Sequence, residues 1–163
     1  PNQEGLLWFV ETVWPRLKTT HPDLGFAVAG RNAPGWLVRK LNQPGVVFYG
    51  EVPDAAAFLR SHGILVAPCF SGGGMRVKIL ESMAQGRPVI TTPIGAEGLD
   101  AANGTEILLC GDPDTFEKAV AGLLSEPGRY DDMSRRGHDF VHARFDNNTL
   151  ADKLSGFYNN HLP

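Results

Sequence analysis

Cysteine is scarce in this chain: Cys69 and Cys110 are the only two among 163 residues. Two cysteines set far apart in apolar surroundings cannot build a disulfide framework and have no metal-ligand spacing. Both are read as buried packing residues of a protein in a reducing, cytoplasmic compartment. Long apolar runs are also lacking. No stretch approaches the roughly 20 residues that a membrane-spanning helix needs. No basic stretch followed by an apolar one opens the sequence, so no targeting segment is legible. Any membrane contact, expected to be peripheral at the inner face, would have to come from another part of the protein. A surplus of positive charge is missing as well. With 15 Lys and Arg against 18 Asp and Glu, the net charge is -3, whereas neutralising a phosphate backbone takes concentrated cations. Nucleic acid is therefore not expected as a partner, and a small molecule is. Internal repeats and low-complexity tracts do not occur.

What is present describes one ordinary globular domain over residues 1–163, 42% apolar and 20% charged. Leu7, Trp8, Val10, Val13, Trp14 and Leu17 recur at helical spacing between Glu4 and Thr20, with Pro15 predicting a bend or early end near Trp14. Short apolar runs then alternate with helical segments. Strands are predicted at 26–29, 46–49, 64–67, 89–91 and 106–109, and helices at 35–41, 54–61 and 76–85, with mostly helix from Asp114 onward. Glycines or turn residues close most of these elements. This alternation predicts an α/β fold, a doubly wound parallel sheet with helices on both faces and ligands at the carboxyl ends of the strands. Such domains normally open on a strand, and this sequence opens on a helix. A first strand is therefore expected in polypeptide preceding Pro1.

The segment from Pro68 to Gly98 carries the most chemistry. A strand ends at Ala67, Gly72, Gly73 and Gly74 follow, and a helix begins. Glycines there let backbone N–H groups approach a ligand, and the positive end of a helix favours an anion such as a pyrophosphate. Arg76 and Lys78 stand in the first helical turn, where the helix dipole disfavours cations, which points to an anionic ligand that compensates them. Glu81, one turn after Lys78, can accept two hydroxyl hydrogen bonds, as a ribose offers. The competing reading is a flexible connector followed by a solvated, salt-bridged helix face. The segment is not a Walker loop, because no Gly-Lys-Ser/Thr follows the glycines. Nor does it have the G-x-G-x-x-G spacing of a dinucleotide fingerprint.

The stretch GGGMRVKILESMAQGRPVITTPIGAEGL closely resembles the donor-binding segment of the group 1 glycosyltransferases of GT-B fold, the large family four of retaining enzymes. Its likeness is strongest to a bacterial subgroup that builds surface polysaccharides. LLWFVETVWPRL, FAVAGRN, VVFYGEVPD and ILVAPCFSGGG extend the resemblance over nearly the whole chain, in the order of that family's carboxyl-terminal domain. The resemblance implies a Rossmann-like GT-B half that holds a nucleoside-diphosphate sugar. Sugar transfer to a glycan or lipid-linked acceptor would need a separate amino-terminal domain, so this half alone would be inactive. No metal or other cofactor is expected.

By the same resemblance, Glu81 is the second of two family glutamates and binds the ribose. The first falls on Gly73, so the carboxylate that usually touches the sugar hydroxyls is absent, with Arg76 or the loop Gly95-Ala96-Glu97-Gly98 as substitutes. Gly30 and Arg31 match the glycine-led loop after a strand, and Val52 the residue whose backbone reads the base. Lys78, with Gly73, Gly74 and Arg76, is expected to steady the charge on the leaving phosphate, and Val77 joins the donor contacts. Two other functions share these features: a sugar-nucleotide epimerase, and an inactive nucleotide-binding interaction module, which the loss at Gly73 encourages.

Other patterns carry less. Asp112-Pro113-Asp114 looks like an Asp-x-Asp metal motif, but Asp114 and Glu117 are spaced as a capping box before a helix at 116–124. His138 and His142 have zinc-helix spacing without a third ligand. Trp8 and Trp14 are expected in the core, while Trp36 stays open as a stacking residue. The acceptor patterns Asn103-Gly104-Thr105 and Asn147-Asn148-Thr149 matter only in a secreted protein.

Overall fold

A computed structural model describes residues 1–145. The helix predicted over 4–20 is two helices, α1 (Asn2–Thr12) and α2 (Trp14–Thr20), broken at Val13. Pro15 falls in the first turn of α2, where its missing N–H costs nothing. There follow β1 (Phe26–Ala29), α3 (Gly35–Leu41), β2 (Val46–Gly50), α4 (Ala55–Arg60), β3 (Leu65–Ala67), α5 (Val77–Ala84), β4 (Val89–Thr91), β5 (Leu108–Leu109), α6 (Pro113–Ser125) and α7 (Pro127–Phe145). The continuation past Phe145 and the Asn147 acceptor pattern lie outside the described residues.

Every strand pairing is parallel, as the alternation predicted, but the sheet comes in two sections. β1 pairs with β2 from Phe26↔Val46 to Ala29↔Gly50. β4 pairs with β3 from Leu65↔Val89 to Ala67↔Thr91 and with β5 through Ile90↔Leu108 and Thr91↔Leu109. Among the described residues no hydrogen-bonded strand joins β1 to β3.

Helices cover both faces, and the alternation of side chains along the strands shows it. Ile90 and Leu108 point into a cluster with Phe9, Val13, Trp14 and Leu17 of α1 and α2 and Phe116, Val120 and Leu123 of α6. Their neighbours Val89 and Ile107 point the other way, onto Ile79 and Met83 of α5 and Phe140 and Val141 of α7. A third cluster joins Val10 to Val28, Leu37 and Leu41. Cys69 and Cys110 are free and buried, as read. Trp14 is buried and donates through Nε1 to Pro44 O at 3.0 Å, and Trp8 meets Phe70 and Phe116 edge-on. Trp36 is exposed.

Two local readings need correction. The strand predicted at 106–109 is only Leu108–Leu109, because Ile107 makes an isolated bridge to Asn103, whose Oδ1 accepts from Leu109 N at 2.9 Å. The cap before α6 is Asp112, not Asp114. Asp112 Oδ1 accepts from Thr115 N at 2.9 Å and Thr115 Oγ1 accepts from Asp112 N at 3.2 Å, a reciprocal box two residues earlier than the spacing suggested. The hydrogen bond from the Thr115 amide holds the Asp112 carboxyl below the usual carboxylate range. Asp114 instead faces Arg16 of α2 in an exposed ion pair. On α7 the His138 and His142 rings stand 4.2 Å apart, with Asp139 3.3 Å from His138. No helix among the described residues is long and apolar enough to cross a membrane.

One glycine fixes how α1 lies on the sheet. A Cβ at Gly5 would overlap the carbonyl oxygen of Pro68, just past β3, so only glycine lets the helix come this close. Gly5→Ala is therefore expected to lower stability by about 3 kcal/mol, the upper part of the range for overpacking against backbone. Gly25→Ala, where a Cβ meets nothing within 4 Å, should change little; urea unfolding midpoints of the two variants check this.

Candidate functional site

The carboxyl ends of β1, β2 and β3 gather at the mouth of a cavity of about 900 Å³ that runs between the two sheet sections. Gly30 and Arg31 after β1, Glu51 and Val52 after β2, and Lys78 and Glu81 on α5 line that mouth. Two contacts bind the first pair of loops to each other. Gly30 N donates to Gly50 O at 2.8 Å, and Arg31 Nε lies 3.7 Å from Glu51 Oε1. Asn32 completes the β1 loop at φ 56°, a left-handed conformation that asparagine tolerates better than most residues.

The salt-bridged alternative for α5 is not what forms. Arg76, Lys78 and Glu81 make no ion pair with a described residue. Lys78 Nζ reaches across to α1 and donates to Asn2 Oδ1 at 3.0 Å. Burial pushes the Lys78 ammonium below the ordinary lysine value. The charge of Arg76 pushes the same way, and Cys69 opposes both. A cation held next to a neutral amide and partly stripped of water is one that an anion would stabilise. Glu81, three residues on, is exposed at the same mouth.

The glycine loop is built from within. Gly72 and Gly74 adopt φ 92° and 85°, backbone that L side chains rarely take, whereas Gly73 does not. Arg76 is the N-cap of α5 and folds back so that Nη2 donates to Ser71 O at 3.1 Å and Gly72 O at 2.8 Å. Its Nε is buried with no hydrogen-bond partner among the described residues. The arginine thus holds the loop's shape through the loop's own carbonyls. Thr92 fastens the same loop from β4: its Oγ1 accepts from Cys69 N at 3.2 Å and donates to Cys69 O.

Of the residues singled out in the sequence, Gly30, Arg31, Val52, Lys78 and Glu81 share one cavity lining; Gly73, Gly74, Arg76, Val77 and Gly95 lie outside it. Val77 is 64% exposed on the outer side of the first turn of α5. Gly95 has a packing reason to be glycine, since a Cβ there would overlap Thr91 Oγ1. Its N–H already donates to Thr92 Oγ1 at 3.1 Å. That amide is not free for a ligand.

Three contributors escaped the sequence reading. Asn2 supplies the partner of Lys78, Gly5 brings α1 within reach, and Thr92 ties the loops after β3 and β4. A lone glycine inside a helical pattern and a pair of threonines ending an apolar strand were the available signals. Nothing in the sequence marked Asn2.

The chain belongs to the group 1 glycosyl transferases, whose family model matches residues 1–126. Among curated proteins it is 22% identical to an uncharacterized 44.6 kDa protein in the cps region of Klebsiella pneumoniae, over 94% of this chain and 42% of that protein. It therefore spans less than half the length of that relative. Among solved structures it resembles the C-terminal domain of the group 1 glycosyl transferase LpcC from Francisella tularensis. The TM-score is 0.75 at 19% identity, covering 90% of this chain and 82% of that one. It also resembles Anabaena Alr3699/HepE, solved with UDP-glucose, with a TM-score of 0.73 at 16% identity, covering 90% of this chain and 44% of that one. At these identities the structural likeness establishes the GT-B fold of the domain.

The loop geometry separates two adjacent glycines. Gly74→Ala is expected to cost about 1–2 kcal/mol for left-handed backbone. Gly73→Ala, with nothing within 4 Å of its Cβ, is expected to be near neutral. Thermal unfolding of the two variants gives the comparison.

Proposed function

We propose that this chain is the donor-binding half of a glycosyltransferase that moves a sugar from a nucleoside diphosphate to an acceptor hydroxyl. The observation that carries the reading is the pairing, on one face of α5, of a desolvated lysine and an exposed carboxylate. Both look into a mouth that the loops after β1 and β2 close from the opposite side. Lys78 would take the diphosphate and Glu81 the two ribose hydroxyls. The base would rest against the backbone at Val52, with Gly30 and Arg31 at its other edge. Family membership supports this assignment, and so does the UDP-glucose carried by a protein of the same fold.

In the reaction, a bond forms between the acceptor oxygen and the anomeric carbon while the bond from that carbon to the diphosphate breaks. Negative charge grows on the departing phosphate. Lys78 and the N–H groups of Gly73 and Gly74 oppose that charge without a metal, and Arg76 acts by keeping the loop in shape. The acceptor, a glycan or a lipid-linked one, and any general base would be supplied by an amino-terminal domain that this chain does not include. Retention at the anomeric carbon, a role in surface-polysaccharide synthesis and a cytoplasmic place at the inner membrane face belong to the same proposal.

A second reading has one observation in its favour. At Gly73 the sugar end of the site has no carboxylate, as an inactive nucleotide-binding module would allow. Product analysis with the full-length protein separates the readings: nucleotide binding without sugar transfer would leave the module standing.

Calorimetric titration of the full-length protein with UDP, GDP and ADP and their sugar conjugates tests the site. One nucleotide should bind selectively, and Glu81→Ala should weaken it by about 1–3 kcal/mol, the cost of unpairing charged hydrogen bonds. Lys78→Ala should lower kcat by roughly 10²–10³-fold, the usual loss for one donor to a developing anion; unchanged turnover would sink its leaving-group role.

The pH dependence follows from the depressed Lys78 pKa. Only the ammonium attracts the diphosphate, so affinity is full below that pKa and declines as pH rises through it. The decline should come at lower pH than for a solvated lysine. It should vanish in Lys78→Ala, and titrations across alkaline buffers read it directly.

A further inference from the structure

The glycine loop is short of hydrogen-bond acceptors. With the ribose at Glu81 and the diphosphate at Lys78, the donor runs along α5 toward its amino end, so the sugar lies past Lys78, at the loop that carries Gly72, Gly73 and Gly74. Each sugar hydroxyl has a proton to donate and needs an acceptor for it. What the loop offers is mostly donors. The N–H groups of Gly73 and Gly74 are donors, and the carbonyls of Ser71 and Gly72 already accept from Arg76 Nη2 at 3.1 and 2.8 Å. Arg76 has no acceptor atom of its own, and position 73 has no side chain. An acceptor for the sugar has to come from another element.

Helix α1 supplies one. Pro1 at its N-cap, with Glu4, Gly5 and Trp8, runs along the segment from Pro68 to Gly72. Trp8 meets Phe70 edge-on, with 4.9 Å between ring centroids. A Cβ on Gly5 would overlap Pro68 O, and one on Gly72 would stand 3.7 Å from Pro1 Cγ. Within this row, Ser71 Oγ donates to Glu4 Oε2 at 3.4 Å. Asn2, Gln3 and Leu6, on the other side of the helix, line the cavity, whereas Glu4 lies outside it, as Gly73 and Gly74 do.

The Glu4 carboxylate is open to a ligand. Glu4 and Ser71 are both exposed. Among the described residues Glu4 forms no ion pair, and Ser71 is its one hydrogen-bond partner. That bond is long for one between two oxygens, and the second carboxylate oxygen is unused. Beyond Ser71 the loop is clear, since a Cβ on Gly73 or Gly74 would meet nothing within 4 Å. The two substitutes that the sequence suggested are otherwise engaged. Arg76 is spent on the loop's carbonyls, and the Gly95 amide donates to Thr92 Oγ1.

We propose that Glu4 binds the donor sugar: its carboxylate accepts hydrogen bonds from the sugar's hydroxyls, with Ser71 Oγ beside it, and supplies from α1 the acceptor that the glycine loop lacks. The inference rests on the reading of this chain as a donor-binding half, and adds the residue that recognises the sugar rather than the nucleotide. Glu4 also has a structural reason to be acidic, because it stands in the first turn of α1, where the helix dipole favours negative charge. A dipole role is indifferent to the sugar, and that difference separates the two.

Glu4→Gln keeps the size of an exposed side chain and removes its charge, so the variant folds. The full-length protein is titrated with UDP, GDP and ADP and with their hexose and N-acetylhexosamine conjugates, and the conjugate that the wild type binds most tightly is carried forward. Glu4→Gln should weaken that conjugate by about 10–100-fold, the loss expected for hydrogen bonds to a charged acceptor, and the free diphosphate by less than about twofold. With monodeoxy forms of the same sugar, the loss should shrink wherever the missing hydroxyl is one that Glu4 accepts. Equal weakening of diphosphate and conjugate, or of neither, would overturn the proposal. So would a loss of the same size with every monodeoxy sugar, which would trace it to α1 instead. A sugar-dependent loss in Glu97→Gln but not in Glu4→Gln would hand the role to the loop after β4 and overturn it likewise. Wild-type protein that binds none of the nucleotides fails earlier, overturning the donor-half reading and this inference with it.

Discussion

The structure depends on the apolar face of α1 and α2. The site draws Gly30, Arg31 and Val52 from one sheet section and Lys78 and Glu81 from the element that follows the other. Among the described residues no ladder hydrogen bond crosses between those sections. Phe9, Val13, Trp14 and Leu17 are what both share, touching Phe26 and Val46 on one side and Ile90, Leu108 and Phe116 on the other. Fully burying four such side chains stabilises by about 6–12 kcal/mol at the usual transfer value, an upper estimate that is nonetheless of the order of a whole domain's net stability. The net gain of one backbone hydrogen bond is about 1 kcal/mol. Packing therefore sets the distance between the two walls of the mouth. Gly5 is where that packing is tightest, which makes a residue remote from the ligand a determinant of the site's width.

The electrostatics follow from the same arrangement. Because α1 lies so close to the end of β3, Asn2 comes within hydrogen-bond reach of Lys78 and the ammonium is shielded from water. A lysine on an open helix surface would find a carboxylate or remain solvated, and would have little to gain from a ligand. Here the ammonium has one neutral partner and a neighbouring guanidinium, so an anion placed beside it would restore interactions that burial removed. Arg76 shows the other use of a cation at a helix start. Its hydrogen bonds go to the carbonyls of Ser71 and Gly72, which leaves the N–H side of the loop open. The two basic residues two positions apart are thus held differently, one against Asn2 at the mouth and one on the loop's own carbonyls.

How much of this was legible depends on the range of the interaction. The helices at 35–41 and 76–85, the strands at 26–29 and 89–91 and the break just before Pro15 were readable because periodicity, glycine and proline act over a few residues. The cap of α6 was misplaced by two residues because Asp112 and Asp114 both precede helix formers, and the hydrogen bond to Thr115 decides between them. Lys78 and Glu81 could be singled out because they share a helix with the glycine loop. Asn2 could not be found, because its role exists only through a 76-residue separation in sequence that folding closes. The packing reason for glycine at position 95 was not legible, because it lies in the overlap that a Cβ there would make with Thr91 Oγ1.

The absence of a side chain at Gly73 has to be weighed in this frame. Position 73, where the family resemblance would place a carboxylate, is the one glycine of the loop triplet without positive φ, with no atom within 4 Å of where a Cβ would stand. Neither backbone strain nor crowding forces glycine there, unlike Gly72 and Gly74 with their left-handed backbone or Gly95 with its contact to Thr91. Size and charge at position 73 are therefore free of the folding constraints that hold its neighbours, so a side chain could be added there without straining the loop, whereas alanine at Gly74 would strain the backbone and at Gly95 would overlap Thr91.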